Sequence, residues 1–171
     1  MKNIFLSTLL LLFLNTAFAQ QPEISRDHNG SKVIKGFMSK NVLATDTAFS
    51  WFNQNKNSYT PDQNALEALK AKKDSLNIIA FGGTWCDDTK QLLPQFYSLF
   101  DAAGLDENRI TLLGVDRNKK STQNLSEAFN ITLVPTIIVM KNGKEVARIV
   151  EYGKIGSPVK ELGQIIKSYF N

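Results

Sequence analysis

Cys86 is the only cysteine in this 171-residue chain, and its neighbours are of the kind that make a thiol reactive. It lies in Gly82-Gly83-Thr84-Trp85-Cys86-Asp87-Asp88-Thr89-Lys90, after an apolar run and before a helical pattern. A thiol in the first turn of a helix faces unsatisfied backbone N–H groups and the positive end of the helix dipole. Both favour the thiolate, which is the attacking form in disulfide exchange. Asp87 and Asp88 act in the opposite sense, because negative charge beside a sulfur opposes its ionisation. The Thr89 hydroxyl, one turn on, is spaced to donate a hydrogen bond to the sulfur. Other cysteine chemistries lack partners here. A cysteine hydrolase needs a histidine, and the sole histidine, His28, lies in a polar N-terminal stretch. A metal site needs more ligands than Cys86, Asp87 and Asp88 provide on one helical turn. The sequence therefore calls for no metal and no cofactor.

The elements around Cys86 follow from apolar periodicity and turn residues. Leu76 to Phe81 is a short apolar run suited to a buried strand. Asp87 to Ala103 carries Leu92, Leu93, Phe96, Leu99 and Phe100 on one helical face, with Pro94 inside and Gly104 as the stop. Before these, Thr60-Pro61-Asp62-Gln63 reads as a capping box that opens a helix with Leu66 and Leu69 inward. After them, Arg109 to Val115 reads as a second strand. Ser121 to Phe129 reads as a short helix facing Leu125, Ala128 and Phe129 to the core. Thr136 to Met140 and Glu145 to Val150 read as strands joined by an Asn142-Gly143 hairpin. Ser157-Pro158 opens a last helix with Val159, Leu162, Ile165 and Ile166 inward. The alternation of helices and strands, ending in a hairpin, implies an α/β domain with a mixed sheet and helices on both faces.

Several segments, taken in order, resemble one family. Phe81 to Lys90 resembles the active-site segment of thioredoxins, whose pattern is Trp-Cys-x-x-Cys between a strand and a helix. Pro94 stands where that family kinks the helix. Phe129-Asn130-Ile131-Thr132-Leu133-Val134-Pro135-Thr136 is similar to the segment that delivers the family's cis-proline. The Lys141-Asn142-Gly143-Lys144 hairpin and Gly153 follow in matching order. The resemblance covers about Thr60 to Phe170 and implies a thioredoxin-like fold. It also implies a cis Pro135 that places the Val134 backbone beside the sulfur, where an extended peptide would pair. On this basis Cys86 and Thr89 are the candidate catalytic residues. Trp85, Asp87, Asp88, Val134 and Pro135 are the candidate binding residues.

The departures from the pattern are chemical ones. Thr89 replaces the second cysteine, so a mixed disulfide on Cys86 cannot be resolved within the chain. Ala80 stands where the family keeps a buried acid that serves the resolving cysteine. Two readings follow. In the first, the protein is a monothiol exchanger whose substrate is a protein or a small thiol or disulfide. In the second, it is a non-catalytic module that holds a peptide or protein partner, with Trp51, Trp85 and Tyr59 as further contacts. A peroxidase of the peroxiredoxin type would place a threonine three residues before its cysteine, and Thr84 is two before Cys86.

The chain divides into three parts. Residues 1–19 read as a signal peptide: Met1-Lys2-Asn3 is a positive start, Ile4 to Phe18 is apolar, and Ala17-Phe18-Ala19 suits cleavage. The apolar run falls short of the ~20 residues of a spanning helix. The expectation is export, to the periplasm or out of the cell, with no membrane attachment after cleavage. Residues 20–58 form an extension whose first part, to Ser31, is polar and loose. In it, Val33 to Phe37 suggests a strand, and Asp46 caps a short helix that carries Phe49, Trp51 and Phe52 inward. Residues 59–171 are the thioredoxin-like domain. The net charge of +4 is spread in short clusters such as Lys119-Lys120 and not gathered on one arm, which argues against nucleic acid. Arg117 and Lys119 lie in a loop whose place is at the same sheet edge as Cys86; an ordinary solvated loop is the reading preferred, and an offset of the two aspartates by Arg117 or Lys119 is the alternative. The expected state is a monomer.

Overall fold

The computed structural model describes residues 21–170; the expected leader, residues 1–19, lies outside the described residues. The chain runs through β1 (Glu23–Arg26), β2 (Lys32–Met38), α1 (Lys40–Thr45), α2 (Trp51–Ser58), α3 (Gln63–Lys72), β3 (Asn77–Gly82), α4 (Asp87–Ala103), β4 (Ile110–Gly114), α5 (Leu125–Ala128), β5 (Thr136–Lys141), β6 (Lys144–Val150) and α6 (Pro158–Tyr169). The strands form one sheet in the order β1-β2-β4-β3-β5-β6. β3 and β4 run parallel, with Gly82 opposite Gly114; the other neighbours are antiparallel. The fold is a thioredoxin-like α/β fold with a mixed sheet.

Period-2 alternation divides the core. Ile78, Ala80, Leu112, Ile137 and Val139 belong to the larger cluster, with Phe52 of α2, Leu69 of α3, Phe96 of α4 and Leu162 of α6. Phe81, Leu113 and Ile138 belong to the smaller cluster, with Val115, Ile131 and Val134 and the partly buried Leu125 of α5. α3 and α6 approach closely because Gly163 lacks a side chain; a Cβ there would lie 2.5 Å from Ala65 Cα.

The helix and turn signals act as chemistry demands. Gly104 ends α4 in the left-handed region at φ 68°, and Leu105 N–H returns to Phe100 O at 3.0 Å. Asn142 and Gly143 both have positive φ, as a two-residue hairpin turn requires. Pro94 lacks an N–H, which frees the carbonyl of Lys90. The Asn55 side chain, from α2, donates to that carbonyl at 2.8 Å.

Three local expectations need correction. The cap of α3 is Asp62, whose Oδ1 accepts from Ala65 N–H at 3.0 Å. Thr60 lies before the helix, because Pro61 and Asp62 remain outside it. The helix expected over Ser121–Phe129 shrinks to α5, since Gln123 and Asn124 have positive φ and break it. Its buried residue is Ser126, whose hydroxyl accepts from Ser121 N–H, while Ala128 is exposed. The stretch before Ser31 is not loose. β1 pairs with β2 over Glu23–Arg26, but all four residues are exposed and carry no apolar alternation to reveal a strand.

The extension is joined to the domain by tight packing and by charge. A Cβ on Gly114 would lie 2.1 Å from Ile34 O, so β2 rests directly on β4. Asp101 of α4 binds Lys40 of α1 at 2.6 Å and Lys56 of α2 at 2.7 Å. Burial alone would raise the Asp101 carboxyl, but the hydrogen bonds from Lys40 and Lys56 outweigh it and hold it below the usual range.

Gly114→Ala should push β2 off β4 and cost about 2 kcal/mol, as overpacking at an unyielding backbone does; a shift of the urea midpoint reads it. Asp101→Asn should cost under about 1 kcal/mol at neutral pH, since the pairs are partly exposed. A depressed carboxyl stabilises above its unfolded value of about 3.9 and loses that contribution as pH falls below it. Thermal unfolding of Asp101→Asn between pH 5 and pH 2, on the order of that window, should therefore fall less steeply than that of the parent.

Candidate functional site

Cys86 sits where β3 hands over to α4. Its backbone is extended, at φ −89° and ψ 127°, and its carbonyl accepts the first helical hydrogen bond from Lys90 N–H at 3.0 Å. It is thus the N-cap of α4, and its side chain makes no capping hydrogen bond. The thiol is half-buried against the smaller cluster. Its Sγ donates to Val134 O at 3.3 Å. The Val134–Pro135 peptide is cis. Strand order explains this meeting: β3 lies between β4 and β5, and the segment entering β5 passes the start of α4.

Thr89 is fully buried, and its hydroxyl accepts from Gly83 N–H at 3.2 Å. This differs from the expected bond to sulfur. The buried Gly83 amide needs an acceptor where the strand ends, and the Thr89 oxygen supplies it. Gly82 makes room for Thr89; a Cβ there would lie 2.9 Å from Thr89 Cγ2. Ala80 is fully buried in β3.

The two aspartates point to different partners. Asp87 is largely exposed and pairs with Lys90 at 2.8 Å. The hydrogen bond from Lys90 holds its carboxyl below the usual range. Asp88 accepts from the Tyr152 hydroxyl at 2.9 Å. That bond, made to a carboxylate, raises the Tyr152 hydroxyl above its ordinary value and keeps its proton in place. The loop carrying Tyr152 is set by Glu161, a buried carboxylate that accepts from Lys154 N–H at 2.6 Å and Ile155 N–H at 3.3 Å. Sequence reading passed over Tyr152; its position just before Gly153 was the available signal.

Trp85 forms the other side. Its Nε1–H donates to Val115 O at 2.9 Å. The Arg117 guanidinium carbon lies 5.0 Å from the ring centre and Lys119 Nζ 5.7 Å, within cation–π range. Arg117 and Lys119 thus gather on Trp85, and Arg117 also forms an ion pair with Asp27. The structure brings together Trp85, Cys86, Asp87, Asp88, Thr89, Val134 and Pro135. It does not bring Trp51 or Tyr59 to them: both pack against the larger cluster, Trp51 edge-on to Phe49 and Phe52.

A family model described as Thioredoxin matches residues 58–166. The chain belongs to the thioredoxin family. It is 33% identical over 103 residues to a thioredoxin of Echinococcus granulosus, covering 60% of this chain and 88% of that one. A thioredoxin of Chlamydia pneumoniae is 33% identical over 75 residues, covering 44% of this chain and 68% of that one. Among solved structures, a protein of unknown function from Pseudomonas aeruginosa shares the fold, with a TM-score of 0.56 at 13% identity over 78% of this chain and 93% of that one. The relatives support a function of the thiol–disulfide oxidoreductase type. Within the family's Trp-Cys-x-x-Cys pattern, this thioredoxin-family chain keeps Trp85 and Cys86 and has Thr89 at the second cysteine position.

Thr89→Val should leave the Gly83 N–H buried and unpaired. The expected cost is about 1–3 kcal/mol, read by urea denaturation, with faster hydrogen exchange of the Gly83 amide.

Proposed function

We propose that this is an exported thioredoxin-family protein that performs monothiol exchange through Cys86. The observation that carries the reading is a half-buried thiol at the N-terminus of α4, against the Val134 carbonyl, with a threonine where a resolving thiol would stand. In the forward step the Cys86 thiolate attacks a disulfide R–S–S–R′. Cys86–S–S–R forms, the R–S to S–R′ bond breaks, and R′–S⁻ leaves and takes up a proton. A second thiolate, R″–S⁻, then attacks the R sulfur of the mixed disulfide. R–S–S–R″ leaves and the Cys86 thiolate returns. No net electrons remain on the protein. The substrate is a protein or low-molecular-weight disulfide, and an outside thiol is required because the chain has no other cysteine. The leader-like residues 1–19 support a periplasmic or secreted location, and the protein acts as a monomer.

A second reading has its own observation. The Cys86 thiol packs against the smaller cluster and donates its proton to the Val134 carbonyl, as an inert structural thiol also would. In that case the Val134–Pro135 edge holds a peptide without covalent chemistry.

Incubation with glutathione disulfide should yield one mixed-disulfide adduct by intact mass in the parent chain and none in Cys86→Ser, which should keep its far-UV circular dichroism. A parent chain that takes no adduct, or a Cys86→Ser chain that unfolds, favours the binding module. Thr89→Cys should gain disulfide reductase activity in an insulin-reduction assay with dithiothreitol as reductant; no gain would mean that the site differs from a dithiol site by more than one residue.

A further inference from the structure

The residues around Asp27 lie outside the region that the family model matches, yet they reach the thiol-bearing loop. Asp27 is saturated by hydrogen bonds. Its Oδ1 accepts from Asn29 N–H and Ser31 N–H, both at 2.9 Å. Its Oδ2 accepts from Arg117 Nη2 at 2.6 Å and Arg117 Nε at 3.1 Å. The Asp27 side chain is only 5% exposed. The Asx turn and the β1–β2 pairing thus hold the carboxylate in a fixed place, and the carboxylate holds the guanidinium fork. That guanidinium lies 5.0 Å from the centre of the Trp85 ring. Trp85 is the residue before Cys86, and its far edge is tied to Val115 O.

The same hairpin grips the loop from a second direction. The Thr84 hydroxyl donates to Lys32 O at 2.8 Å and accepts from Ile34 N–H at 3.3 Å. Thr84 is 2% exposed, so these bonds are made away from water. The residues at 83–86 therefore have partners in β2 beneath and in the Arg117 loop beside. Both partners lead back to the extension.

We infer that Asp27 is a positioning residue of the site: through Arg117 it fixes Trp85, the wall next to Cys86, so that the N-terminal hairpin is a working part of the thiol site. This rests on Cys86 being the reacting thiol. An aspartate is needed because two anchoring N–H groups and a two-donor guanidinium must be satisfied by one short side chain. Asparagine at this position keeps a carbonyl for the turn but loses the charge and one acceptor.

The experiment uses the full chain labelled with 5-fluorotryptophan, whose two tryptophans give two fluorine resonances. Trp51→Phe assigns them; the Trp51 indole N–H is buried without a partner, so phenylalanine there strands no acceptor. Asp27→Asn and Arg117→Gln should each move the Trp85 resonance and leave that of Trp51 in place. The double variant should move it no further than the single ones, because both act through one pair. In the same variants the rate of Cys86 alkylation by iodoacetamide, a neutral reagent, should change at least about twofold at fixed pH, as expected when a wall of a thiol site is released. An unmoved Trp85 resonance, additive effects in the double variant, or an unchanged alkylation rate each overturns the inference. Failure of glutathione adduct formation in the parent chain would instead overturn the exchange reading and leave the Trp85 resonance to decide this one.

Discussion

Gly82 and Gly114 face each other at the last rung of the parallel β3–β4 ladder, and both chains leave the sheet there. Val115 N–H still returns to Gly82 O at 3.0 Å, which closes the rung. Parallel neighbours end on the same edge of a sheet, so the loop bearing Cys86 and the loop bearing Arg117 emerge side by side. Neither position tolerates a side chain. Thr89 fills the space over Gly82, and the Ile34 carbonyl fills the space over Gly114. The pair of glycines therefore lets α4 on one side and β2 on the other close upon the same point. The indole bond to Val115 O, the cation–π contacts and the grip on Thr84 all follow from that closeness.

The replacement of a thiol by Thr89 has a structural side. A buried amide, that of Gly83, must find an acceptor where α4 begins. The Thr89 hydroxyl supplies it and in doing so locks the loop that shapes the Cys86 backbone. The residue that stands at the family's second cysteine position thus has a structural task of its own, at the start of α4. Ala80 is fully buried in β3 and brings no charge beneath the site. Asp87 and Asp88 remain beside the sulfur, but each is engaged, by Lys90 and by Tyr152.

Most of the domain was legible because its signals are local. The apolar run before Cys86, the Gly104 stop, the Asn142-Gly143 turn and the Trp-Cys and Val-Pro-Thr segments each carry their meaning within a few residues. What escaped depends on distant partners. β1 has no apolar pattern and exists only because β2 pairs with it. The spacing of Thr89 points only to the sulfur one turn back, and the loop conformation is what brings the Gly83 amide to its hydroxyl. Asp27 and Arg117 are ninety positions apart and look like ordinary surface charges in sequence. Tyr152 lacks a pattern of its own, and its place is set by a turn that Glu161 holds from the next helix. Trp51 and Tyr59 are contacts only on the binding-module reading, since aromatic residues are more often core; here both pack, partly buried, against the larger cluster.

The pairing of Gly36 with Gly114 also bears on the order in which the molecule is assembled. The hairpin of β1 and β2 precedes the other described elements, yet the strand it joins follows about two-thirds of the way along the chain. A two-stranded hairpin alone is marginal in water, and contacts between residues far apart in sequence form late, after loop closure has been overcome. Until β4 exists, β2 has an open edge. Charged residues Glu23, Arg26, Lys32 and Lys35 lie within the two strands of that hairpin and oppose its pairing with other chains. The hairpin is therefore expected to dock late, with the thiol loop taking its final shape through Thr84 at that point.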